Sequence, residues 1–155
     1  MEKDLYIKEI KLVLEMMGIK TKEITTFFDN DLRILFFSIR VPSYEERIFF
    51  ENNNEVLRDF SHFFKLLFEK KYHFYQDSIF DINKKNIHFV AEAKQKALIA
   101  AERVLFFDKP YEFKYSNAFE RMIIHSMIKK NPLLYSYSEG EGKERYLIIK
   151  KKTPK

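Results

Sequence analysis

Hydrophobic spacing switches repeatedly between helical and strand periods along these 155 residues, and that alternation limits the fold more than any other feature. Ile10, Val13, Leu14 and Met17 recur at helical spacing, and Gly18 follows them as a residue suited to positive φ past a helix end, so a helix is expected over 3–17. The period then becomes two. Residues 24–28 and 32–41 are rich in β-branched and aromatic side chains, with Asp29-Asn30-Asp31 as turn chemistry between them, which predicts a hairpin ended by Pro42. Val56, Leu57, Phe60, Phe63, Phe64 and Leu67 form a second helical stripe, with Asn54 expected as N-cap and Lys70-Lys71 at the basic end, before a strand near 72–82.

The second half repeats the alternation in another order. A long helix is expected from Asn86 to about Leu105, ended by Asp108-Lys109-Pro110, then a short strand at 111–115. Asn117-Ala118-Phe119-Glu120 has capping-box spacing and opens a helix to about Lys130, which Asn131-Pro132 stops. Strands are expected at 133–138 and 144–150, around the glycines of Glu139-Gly140-Glu141-Gly142-Lys143. The orders α-β-β-α-β and α-β-α-β-β predict an α+β protein of two small domains, 1–82 and 83–152, with a basic tail at 153–155.

Composition narrows the function classes. There are no cysteines, so disulfides, thiolate metal sites and cysteine nucleophiles are excluded. The amino terminus lacks signal-peptide character and no apolar run approaches the roughly 20 residues that span a bilayer, so a cytoplasmic protein without a transmembrane segment is expected. The net charge of +5 is unevenly placed: residues 1–82 carry 12 basic and 15 acidic side chains, residues 83–155 carry 16 and 8. A polyanion is therefore expected to bind the C-terminal half.

Asn117, Arg121, His125 and Lys129 are spaced four apart and share one helix face, where a guanidinium fork and an imidazole about 6 Å apart suit phosphate oxygens. His62, His73 and His88 lack carboxylate partners at ligand spacing and read as structural; no metal or cofactor is expected. Glu120 and His125 point to different sides of their helix, so an acid–base pair is not expected and the chain is read as a binder and not an enzyme. The stripe Phe60, Phe63, Phe64 and Phe68 is read as core.

The run 117–125, followed by Tyr135-Ser136-Tyr137-Ser138-Glu139-Gly140 and Arg145-Tyr146-Leu147-Ile148-Ile149, resembles the single-stranded nucleic-acid-binding domain named for its Arg-x-x-x-His signature. More narrowly it is similar to the version in the bacterial Jag family, the SpoIIIJ-associated or KhpB proteins. The resemblance places Arg121 and His125 on the signature positions and implies a type II K-homology domain over 1–82. A nucleic-acid-binding domain of that kind has a Gly-x-x-Gly loop before a helix; here Glu51, Asn52, Asn53 and Asn54 stand in its place, so the loop's grip on phosphate is expected to be degenerate.

The resemblance further implies a cytoplasmic RNA-binding protein or RNA chaperone linked to cell shape and envelope growth, with Asn117, Arg121, His125, Lys129 and Arg145 contacting single-stranded RNA or DNA and a small K-homology protein as partner. The alternative is a protein-interaction adaptor that docks to the ribosome, a membrane insertase or another K-homology protein.

Overall fold

A computed structural model describes residues 2–153, so of the expected tail only Thr153 lies among the described residues. The chain divides into two compact units, Met1–Ile87 and His88–Lys155. It is α+β throughout, with four helices and two three-stranded sheets among the described residues.

The first unit contains α1 (Glu2–Met16), β1 (Glu23–Asp29), β2 (Ile34–Arg40), α2 (Ser43–Tyr72) and β3 (Ser78–Ile82). β1 and β2 form the expected antiparallel hairpin, its turn held by Asp29 Oδ1 accepting from the backbone N–H groups of Asp31 and Leu32, both at 3.0 Å. β3 lies parallel to β2, an arrangement that needs a crossover, and α2 supplies it. Alternation along β2 sends Leu35, Phe37 and Ile39 into a core shared with Phe80 and Ile82 of β3, Tyr6, Ile10 and Leu14 of α1, and Phe49, Phe60, Phe64 and Phe68 of α2.

Four features of this unit differ from the sequence expectation. Helix begins at Ser43, well before Val56, although of the apolar side chains in its first turns only Phe49 is fully buried. It is broken at 51–54: Glu51 is extended, and Asn52, Asn53 and Asn54 adopt left-handed φ of 51°, 57° and 63°. Asn54 is therefore part of a joint between two helical segments and not an N-cap, which requires an extended backbone. The following strand starts at 78, because helix persists to Tyr72 and ends on left-handed His73, whose N–H donates to the Phe68 carbonyl. Phe63 is not core: it is 47% exposed and meets Phe64 only edge-on.

The second unit takes most of α3 (Lys85–Phe107), then β4 (Tyr111–Phe113), α4 (Ala118–Ile128), β5 (Leu134–Glu139) and β6 (Tyr146–Lys151). Its antiparallel sheet has the order β4-β6-β5. Small buried residues Ala97, Ala100 and Val104 of α3 join Ile124 and Ile128 of α4 and Leu134, Leu147 and Ile149 of the sheet. The β5–β6 connection contains a short 3₁₀ turn, Gly142–Glu144, and Gly140 has φ +85° where a Cβ would lie 3.0 Å from the Glu144 carbonyl oxygen. β6 begins at Tyr146, so Arg145 precedes the last strand and is not on it.

Candidate nucleic-acid interface

α4 starts as its capping-box spacing requires. Asn117 Oδ1 accepts from the Glu120 N–H at 2.8 Å, with Asn117 in extended conformation. The box is not reciprocal, because the largely buried Glu120 carboxylate turns to α3 and accepts from Lys96 Nζ at 2.9 Å. That bond raises the Lys96 pKa above its usual value. Phe89 of α3 stacks on Phe119 with ring centroids 5.7 Å apart, and together these contacts set how α4 lies on α3.

With Ile123 and Ile124 fully buried, Arg121 and His125 occupy the flank of α4, both half-buried. Arg121 Nη1 donates to the Ser116 carbonyl at 2.6 Å and to the Arg145 carbonyl at 3.3 Å. A single guanidinium thus ties the loop before α4 to the residue entering β6. Its fork carries further N–H donors on Nε and Nη2. The Arg145 side chain is exposed, and its charge is close enough to act on His125.

His125 faces β5. Its Nδ1 lies 2.7 Å from Ser136 Oγ and its Nε2 3.2 Å from Ser138 Oγ. A neutral imidazole suits this pair, one ring nitrogen donating to a hydroxyl and the other accepting from one. Burial, then the charges of Arg121 and Arg145, hold the His125 pKa below its usual 6.5. The Arg121 and Arg145 charges that contribute to this lowering are ones that an anion beside the ring would offset.

A pH dependence follows. Because the folded pKa lies below the unfolded one, the unfolded chain takes up the proton first; the stability this neutral ring confers is complete above about pH 6.5 and declines as pH falls through the window below it. A phosphate beside the ring opposes the depression, so oligonucleotide binding is expected to tighten over the same fall. NMR titration of the His125 ring, free and with oligonucleotide, checks both halves, and His125→Gln is expected to remove the dependence. A free-state pKa at or above 6.5 would contradict the geometry.

Of the expected site residues, the structure brings Arg121, His125 and Arg145 together. Lys129 sits one turn beyond His125 at the helix end, its side chain exposed and its N–H donating to the His125 carbonyl. Asn117, expected both to open the helix and to contact nucleic acid, holds the helix start with its Oδ1. Sequence reasoning missed Ser116, Ser136 and Ser138 as members of the cluster; the one signal for the last two was serine at i and i+2 in a strand, which places both hydroxyls on one face. Glu51, Asn52, Asn53 and Asn54 are all exposed, in the other unit. Among the described residues no cluster of three or more His, Asp or Glu could hold a metal, and no helix is long and apolar enough to cross a membrane.

Residues 87–151 match the sequence profile of the R-three-H domain, the type named for an Arg-x-x-x-His signature and associated with binding single-stranded nucleic acid. The matched segment contains every residue of the α4–β5–β6 cluster. No curated protein sequence matches the chain.

Proposed function

We propose that this protein binds single-stranded RNA through the Arg121–His125–Arg145 cluster, as a post-transcriptional regulator or RNA chaperone. The observation that carries the reading is the Arg121 fork, fixed against two carbonyls beside a histidine held neutral, inside the segment that matches the Arg-x-x-x-His domain. Two guanidinium groups and the exposed Lys129 give charge for backbone phosphates and little that would read bases, so affinity is electrostatic and sequence-tolerant. The reading is of a binding site without catalysis, supported by Glu120, the nearest carboxylate in sequence, being turned to Lys96 on α3.

For the first unit we propose a K-homology fold of the type II order, supported by the succession α1-β1-β2-α2-β3, the parallel β2–β3 pairing and the break in α2 where a phosphate-gripping loop would stand. The acidic excess over residues 1–82 makes that stretch the weaker binder of RNA, suited to a protein partner such as a second, small K-homology protein. Membership of the Jag family, with its link to cell shape, envelope growth and the cytoplasm of bacteria, is part of the same proposal and rests on the three sequence segments alone.

The test is a titration of the intact chain with single- and double-stranded RNA and DNA at rising salt. Single strands are expected to bind preferentially, with log Kobs falling against log salt at a slope of about −2, as roughly three phosphate contacts on a single strand require. Absence of single-strand binding at physiological salt would overturn the reading in favour of a protein adaptor.

A further inference from the structure

Strand alternation gives β5 two different faces. Ser136 and Ser138 point to His125 on α4, so Tyr135 and Tyr137 project from the opposite side of the sheet. There the two rings lie nearly parallel, 16° apart in plane with centroids 6.0 Å apart. The register sets Tyr135 opposite Lys150 and Tyr137 opposite Ile148 on β6, and Lys150 Nζ stands 5.3 Å from the centre of the Tyr137 ring. The core of this unit lies on the other face, where Leu134, Leu147 and Ile149 are buried. Ile148 on the tyrosine face is buried, yet Tyr135 remains 41% exposed, so its ring stays open to a ligand.

We propose that this outer face is a stacking platform for bases of a single nucleic-acid strand, with Tyr135 and Tyr137 receiving bases and Lys150 neutralising the phosphate between them. The proposal rests on the single-strand reading above and deepens it. Aromatic faces beside an ammonium group complement a polymer that offers π-faces and negative charge together, whatever its sequence. The ammonium is favoured in place: contact with the Tyr137 hydroxyl raises the Lys150 pKa. The carboxylates on the same face lie toward the other end, Glu139 accepting from the Tyr146 hydroxyl at 3.3 Å and Glu112 pairing with Lys114 at 3.6 Å, and their negative charge confines the platform to the Tyr135–Lys150 end. β5 is also an edge strand of its sheet. A strand crossing that edge meets Arg121 and Arg145 on the helix side and the tyrosines on the outer side, so phosphate grip and base stacking are two sides of one β-strand.

The experiment compares the intact protein binding a short oligo-dT with an abasic deoxyribose-phosphate strand of the same length. The wild type is expected to prefer the base-bearing strand about 10-fold or more, as stacking of one or two bases implies. Replacing both rings, Tyr135→Leu with Tyr137→Leu, should cancel that preference, read as the ratio of the two affinities within each variant, while Tyr135→Phe with Tyr137→Phe should keep it. Should the leucine variant lose its fold, the wild-type comparison and the phenylalanine variant decide. Equal wild-type affinity for both strands overturns the platform and leaves the phosphate site standing; binding of neither strand overturns both. A preference that survives in the folded leucine variant places the stacking elsewhere and also overturns the proposal.

Discussion

Arg121→Ala is expected to weaken single-strand binding by about 10- to 100-fold, the range that follows from losing one charge-assisted hydrogen bond of about 1.5–3 kcal/mol. The residue has two tasks in this structure, and both fail together. It offers a fork to phosphate, and through Nη1 it fastens the Ser116 and Arg145 carbonyls that bracket the site. Arg121→Lys should fall between, because an ammonium keeps the charge but cannot bridge two carbonyls and grip a phosphate bidentately. Affinity measured across several base sequences and salt concentrations separates the possibilities: a uniform loss with a shallower salt slope is expected. A loss confined to one sequence, with the slope unchanged, would mean that Arg121 reads bases. Thermal unfolding of the variant belongs with the measurement, since Ser116 is buried and its carbonyl loses a partner.

Phe64→Ala should destabilise the first unit by about 3–5 kcal/mol, a large fraction of the stability of any small domain. Phe64 is fully buried and its ring meets those of Phe60, Phe68 and Phe80 at 4.7, 5.3 and 5.3 Å, so truncation opens a cavity at the centre of an aromatic cluster. Phe63→Ala, one residue away but half exposed, should cost less than about 1 kcal/mol. Denaturant unfolding of the two variants makes the comparison. Similar losses for both would mean that Phe63, contrary to its exposure, carries core packing.

The period-two stripe of Leu35, Phe37 and Ile39 in β2 and the long alanine-rich stripe of α3 were legible because a face packed on a core leaves a regular mark, whereas the burial of Ile34 and Phe36 on the other face of β2 does not follow from that stripe. The opening turns of α2 left no such mark. Only Phe49 there is buried among apolar residues, and the other buried side chain, Glu45, looks like surface in sequence. It is inside because its carboxylate accepts the Lys20 N–H at 2.6 Å, a contact across 25 residues. The candidate site divides the same way. Arg121 and His125 share a helix, so spacing alone puts them together. Their partners Ser116, Ser136, Ser138 and Arg145 arrive from loops and strands 5 to 24 residues distant, where only the fold brings them near.

The joint in α2 reverses the usual ranking of helix formers. Along 55–72 alanine is the most favourable replacement at an exposed site, whereas at 52–54 its Cβ would crowd the following carbonyl, a penalty of about 1–2 kcal/mol per residue in left-handed backbone. Asparagine is the side chain that tolerates this region best after glycine. Three asparagines in succession therefore hold a backbone path usually bought with glycine, and they do so while keeping side chains on it. Loop shape and glycine content are separable here: a search for paired glycines would pass over a turn whose geometry is encoded in amide side chains.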